Sequence, residues 1–336
     1  MAKAMTMQEK ENRFSVRYRI TVGDGQTIEQ IARDIAVEQT VEIPYDCIPD
    51  EHLRRGIIGE IEHIRHMERD SAFHDVQISY PTAAVGRDIP QFLNVLFGNI
   101  SLKSNIQITD FSYPHEHQLF PGPSYGISGI RNCLGVHGRP LTCTAIKPLG
   151  LSTGELAQRA GEFAAGGVDF IKDDHGLSDQ TFHPFYERVA RCQEEIQRRN
   201  AQTGGHTMYC PMVSGGFDRI MRQVEYALSC GVRAILIAPM LVGMDTMRYI
   251  SQTCGPIILA HPSFTGTHFH DRNHGMKPAV MLGKLFRLAG ADASIFPNAG
   301  GRFGFTRQEC DDLADSLRLP IMGSDRLFRV RLVECS

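Results

Sequence analysis

The sequence predicts an α/β protein in which an N-terminal α+β domain is followed by a TIM-type (β/α)8 barrel lacking about its last two βα units. Three observations carry this reading. The chain has 336 residues, more than one hydrophobic core usually serves, so a large barrel with a smaller domain is the natural division. From Arg139 the pattern changes from mixed short strands and helices to strand, short loop, helix, repeated, which is the signature of parallel βαβ units. The repetition then stops after six strands, whereas a closed barrel of this kind needs eight. The expected boundaries are 1–130 for the first domain, 131–322 for the incomplete barrel and 323–336 for an aberrant tail.

In the first domain, FSVRYRITV alternates with period two and HDVQISYP reads as a second strand, while Thr27 to Val37 fits a helix. In the barrel, the strand candidates are PLTCTAI, VDFIKD, TMYCPMV, RAILIAP, PIILAHP and ASIFPN. The intervening helices have recognisable starts. Ser152 with Glu155, and Thr306 with Glu309, are capping boxes in which hydroxyl and carboxylate satisfy orphan backbone donors reciprocally. Gly166, Gly167, Gly231 and Gly290 mark helix ends where the chain turns back into the next strand.

Apolar residues make up 42% of the chain and charged residues 22%, with a formal charge of −3. That balance suits a soluble globular enzyme, and Lys and Arg form no basic patch of the sort nucleic acid or anionic lipid requires. Nine cysteines without a Cys-x-x-Cys pair read as reduced core thiols. No run approaches the roughly 18 apolar residues of a membrane span, and the polar N-terminus does not look like a signal peptide, so a cytoplasmic location is expected.

Working residues in a parallel barrel sit at the carboxyl ends of its strands. That rule selects Lys147 after CTAI, Lys172, Asp174 and His175 after VDFI, His261 after IILA, and Asn298 after SIFP. Alternation along a strand puts Lys172 and Asp174 on one face and Asp173 on the other. An amine and a carboxylate pointing together read either as a salt bridge filling the barrel mouth or as a cation site. His175 reads as an acid or base near neutral pH, or as a packed histidine donating to a backbone carbonyl.

The segments LGVHGRPLTCTAIKPLGLS, GGVDFIKDDHG and LGKLFRLAGADASIFPNAGGRFGF resemble, in order and spacing, the barrel segments of the RuBisCO superfamily, and the chain is similar to its RuBisCO-like (form IV) members over about residues 25–322. The resemblance implies that Lys172 becomes a carbamate which, with Asp174 and the residue at 175, surrounds magnesium (Mg2+). His175 stands where the carboxylases have Glu, and an imidazole substitutes poorly for a hard oxygen ligand. It also implies that Lys147 assists proton transfer and that His261 belongs to the site. Glu38 and Asn94 would reach into the barrel mouth of a partner subunit, giving a homodimer, although Asn94 also reads as a strand-edge or turn residue. Leu149 stands in place of a second lysine, Pro262 in place of a phosphate-binding arginine, and FPNAGGRFGF lacks the lysine of the mobile loop. Asn298 and Arg302 remain there, the arginine either gripping a carboxylate or phosphate or lying on the loop surface.

These departures exclude ribulose bisphosphate carboxylation. The resemblance implies enolate chemistry on a phosphorylated sugar acid, with 3-oxo-isoapionate 4-phosphate decarboxylation as the first expectation. Isomerisation or enolisation of a methylthioribulose phosphate in sulfur salvage is the alternative, and a truncated, non-catalytic remnant is the competing reading from another class. The phosphate-binding loops of the family's seventh and eighth units have no counterpart. Codons for Arg326 to Ser336 read in another frame give a stretch like the missing loop, so a frameshift is expected, with the edges of the first and sixth strands exposed.

Overall fold

The computed structural model describes residues 12–23, 25–67, 72–112, 120–318 and 333–334. It divides into two compact units, one formed by 1–120 with 265–281, the other by 121–264 with 282–336.

The first unit is a sheet carrying helices. Strand β1 (Arg13–Thr21) pairs antiparallel with β3 (Phe73–Pro81) and β4 (Ile106–Ser112), and β2 (Glu60–His66) pairs with β3. The period-two pattern of β1 is realised in burial: Phe14, Val16, Tyr18 and Ile20 face the core. Helix α1 (Ile28–Glu38) begins at the Thr27 capping box, with Gln30 answering the Thr27 backbone. Helix α2 spans Ile89–Phe97 and starts at an Asp88 cap. Gly275–Met276 adds a fifth, parallel strand on the edge of β4. Nothing in its sequence neighbourhood announces it, because two residues are too few to show a period.

The second unit contains the six expected strands in order. They are β5 (Thr142–Ile146), β6 (Phe170–Asp173), β7 (Met208–Cys210), β8 (Ala234–Ile237), β9 (Ile257–Ala260) and β10 (Ala293–Ser294). All pair in parallel, the β7–β8 junction being a single bridge between Met212 and Leu236. Strand β10 is shorter than ASIFPN suggested, because Pro297 has no N–H to extend the ladder. Between strands lie amphipathic helices, among them α3 (Gly126–Leu134), α4 (Thr153–Ala165), α5 (Phe185–Thr203), α6 (Phe217–Ser229), α7 (Met244–Thr253) and α8 (Arg307–Arg318). The capping boxes at Ser152 and Thr306 both form.

Cys143, Phe170, Cys210, Leu236, Leu259 and Ala293 fill the barrel core together; each large apolar side chain buried there contributes about 1.5–3 kcal/mol. Among the eight described cysteines, all free, only Cys143, Cys192 and Cys210 are buried. The expectation of core thiols therefore holds for those three, and Cys47 is exposed because its segment, Tyr45–Cys47, is a short turn with no buried residue.

The expected boundary at 130/131 falls inside α3. The division lies at Phe120/Pro121 instead, because the Asp292 carboxylate accepts from the backbone N–H groups of Tyr125, Gly126 and Ile258 at 2.6, 2.9 and 2.9 Å. That carboxylate neutralises the positive end of α3 and ties the helix to β9. The edge of β5, expected to be exposed, pairs at Thr142 and Cys143 with Val333–Glu334. The rest of the tail at 323–336, on which the frameshift expectation falls, lies outside the described residues. Among the described residues no helix is long and apolar enough to cross a membrane.

Candidate active site

Strand β6 is held from behind. Asp173 and Arg188 are fully buried and form an ion pair at 3.1 Å. The Asp173 carboxylate also accepts from the Tyr209 hydroxyl at 2.7 Å and the Met212 N–H at 3.0 Å. Burial works against the Arg188 charge, but Asp173, Tyr209 and Cys192 together outweigh it and keep the guanidinium protonated. A buried carboxylate so fully satisfied fixes the twist of β6, and alternation then turns the next residue to the other side.

That residue is Asp174, just past the strand end. Its Oδ1 lies 3.6 Å from Lys147 Nζ and 3.5 Å from His175 Nδ1. Burial alone would raise the Asp174 pKa, but His175, Lys147, the Gly176 backbone N–H and Lys172 together hold the carboxyl below its ordinary range. Lys172 is buried at 2% exposure, while Lys147 is exposed. The Lys147–Pro148 peptide is cis.

The His261 ring comes from the end of β9 and lies on that of His175, centroids 4.5 Å apart and planes 12° from parallel. Its Nδ1 accepts the Ser263 N–H at 3.2 Å and lies 2.8 Å from Ser263 Oγ. Burial, and then the charges of Lys172 and His175, push the His261 pKa down to about 3 against the opposing pull of Asp174, so the ring is neutral near pH 7. Lys147, Lys172, Asp174, His175 and His261 thus converge from three strand ends.

Other sequence-selected residues lie apart from that cluster. Asn298 is exposed and its side-chain amide donates to the Ala299 carbonyl at 3.4 Å. Arg302 is exposed, with its guanidinium 4.7 Å from the centre of the Phe303 ring. In the first unit, Glu38 accepts from Asn99 at 2.9 Å, and Gln39 donates to the Asn94 carbonyl at 2.8 Å. Asn94 is not a turn or strand-edge residue: it sits in α2, exposed. Two participants escaped the sequence reading. Arg188 is a long charged residue in an amphipathic helix and looks like a solvated one, whereas Ser263 could have been noticed from its place two residues after His261.

A magnesium ion calls for oxygen ligands. With Lys172 as a free amine, the cluster offers one carboxylate, Asp174, surrounded by two ammonium groups and two imidazoles. Asp173 is consumed by its buried partners. Among the described residues no group of three or more His, Cys, Asp and Glu is placed to hold a metal. The expected set of Lys172, Asp174 and His175 does not fit the ion in this form, and the positive surroundings suit an anionic ligand instead.

Comparison with known proteins agrees with the architecture. Residues 126–313 match the family model for the ribulose bisphosphate carboxylase large chain, catalytic domain. The chain is 41% identical to 5-methylthioribulose-1-phosphate isomerase of Rhodospirillum rubrum, over 91% of this chain and 80% of that protein. It is 32% identical to 2,3-diketo-5-methylthiopentyl-1-phosphate enolase of Geobacillus kaustophilus, over 86% of this chain and 73% of that one. Among solved structures, the Rubisco-like protein of Rhodopseudomonas palustris superposes with a TM-score of 0.84 at 38% identity, covering 95% of this chain and 86% of that one.

Proposed function

This chain belongs to the RuBisCO large-chain family as a RuBisCO-like protein, and from that premise we propose that it moves protons on a phosphorylated ketose, as an isomerase or enolase of the 5-methylthioribulose 1-phosphate type. The observation that carries the proposal is the convergence of Lys147, Asp174, His175 and His261 at the barrel mouth. The names of the relatives support the same reading, and they favour it over decarboxylation of 3-oxo-isoapionate 4-phosphate.

Enolisation needs a base beside the carbon that loses its proton and positive charge beside the carbonyl oxygen that gains density. His175, exposed and next to Asp174, is the proton carrier. Lys172 and Lys147 supply positive charge, and Lys147, exposed beside the carboxylate, returns the proton to the neighbouring carbon. For the isomerase the balance closes when the proton leaving the hydroxyl-bearing carbon is replaced by one on the former carbonyl carbon and that hydroxyl's own proton passes to the former carbonyl oxygen, so the carbonyl moves one carbon along; His175 then releases its proton to solvent and Lys147 regains one. Leu149 and Pro262 leave carboxylation without groups that the family uses. A homodimer, with Glu38 and Asn94 turned toward a second copy, belongs to the same proposal and is checked by light scattering on the eluting protein.

The test is to incubate the purified full chain with 5-methylthioribulose 1-phosphate in deuterated buffer and follow carbon-bound hydrogen and phosphorus by NMR. Deuterium incorporation with a shifted carbonyl is expected, and Lys172→Ala abolishes both. A folded protein that incorporates no deuterium overturns the proposal in favour of a non-catalytic remnant; release of carbon dioxide from a 3-oxo sugar acid phosphate restores the decarboxylase reading.

A further inference from the structure

The loop after β9 fixes more than the position of His261. A neutral imidazole carries one proton, and which nitrogen holds it depends on what the other nitrogen meets. Here the Ser263 backbone N–H points at Nδ1 across 3.2 Å. A backbone amide cannot accept, so its approach favours a lone pair on Nδ1 and the ring proton on Nε2. With the lone pair there, the Ser263 hydroxyl, 2.8 Å from the same nitrogen, donates to it as well, and the two donors together hold the tautomer.

The loop is shaped to hold that arrangement. Phe264 follows at φ +68°, a left-handed conformation that a bulky side chain adopts only when the surroundings impose it. Stacking on His175 fixes the ring plane. Nε2, on the opposite edge from Ser263, has no hydrogen-bond partner among the described residues. It is a donor left available beside Lys172 and Asp174.

We infer that Ser263 is a positioning residue that locks His261 as the neutral Nε2–H tautomer, making it a fixed hydrogen-bond donor to a carbonyl or enolate oxygen of the substrate. The catalytic meaning rests on the proposed isomerase or enolase reading; the tautomer does not. His261 then stabilises charge on oxygen while His175 carries the proton, so the two stacked rings perform different work. A donor already oriented needs no reorganisation as charge develops.

The test uses full chain labelled with 15N-histidine, with the His261 signals identified by their loss in His261→Gln. The expected spectrum has the proton on Nε2 and a bare Nδ1. In Ser263→Ala, which keeps the backbone donor and loses the hydroxyl, exchange between tautomers appears and kcat falls about tenfold, the loss of one modest hydrogen bond's worth of alignment, with KM little changed. Ser263→Thr restores both. A wild-type spectrum with the proton on Nδ1, or a Ser263→Ala spectrum and kcat identical to wild type, overturns the inference. An intact Nε2–H signature in a protein that never turns over the ketose phosphate instead sinks the isomerase reading and leaves the tautomer standing.

Discussion

The imidazole of His175 lies flat on that of His261, with centroids 4.5 Å apart, yet the two rings meet different surroundings. His175 is exposed beside a carboxylate, whereas His261 is half-buried and hydrogen-bonded at one nitrogen. Environments that separate two titratable groups are how one site obtains distinct proton roles.

Replacing His175 by Phe keeps an aromatic ring on His261 and removes the nitrogens. Loss of a proton carrier typically costs about 10²–10⁴ in rate, so a fall of that size in kcat is expected with Tm within a degree or two of wild type. Steady-state kinetics with calorimetry on the same preparation checks this; unaltered kcat would reassign the proton carrier.

Acid should weaken the fold through His261. Its folded pKa is about 3 against an ordinary 6.5, so between those values the unfolded chain takes up a proton that the folded chain refuses. Stability from this group is complete above about pH 6.5 and is lost progressively as pH falls toward 3. Thermal scans across that window should show a declining Tm, with a shallower decline in His261→Phe.

Breaking the Asp173–Arg188 pair from one side leaves a charge buried alone, at a cost of about 3–5 kcal/mol. Asp173→Asn and Arg188→Met should each lower the denaturant midpoint strongly. The double variant should recover part of the loss, because neither charge then remains without its partner. Equal losses for single and double variants would show that the ion pair is not what anchors β6.

Gly275 has φ +88°, and a Cβ there would stand 1.9 Å from the His268 carbonyl oxygen. Gly275→Ala must therefore move backbone, and with its left-handed conformation a loss of roughly 2 kcal/mol or more is expected. Chemical denaturation monitored in the first unit reads it; an unchanged midpoint would mean that this edge yields freely.

Legibility in the sequence followed the range of the interactions. The six barrel strands and the caps at Thr27, Ser152 and Thr306 were readable because apolar period and capping chemistry are written within a few residues. For Asn94 the alternative of a strand-edge or turn residue fails, because the apolar positions Phe92, Val95 and Leu96 around it bury one face of a helix, and burial prevails over the local preference of asparagine. Asn298 and Arg302 were selected by position in the chain, and their side chains stay with their own loop.

What the sequence determined by itself is the alternation that sends Asp173 to one side of β6 and Lys172 with Asp174 to the other, since that follows from strand geometry alone. Only the tertiary structure decided what each side meets: Arg188 and Tyr209 behind, Lys147 and the stacked pair His175 and His261 in front. The reason is that Tyr209, Lys147 and His261 arrive on other βα units, and Arg188 returns to Asp173 only when its helix packs back on β6. Their contacts, and the desolvation that keeps His261 neutral, exist only once the strands have been brought side by side.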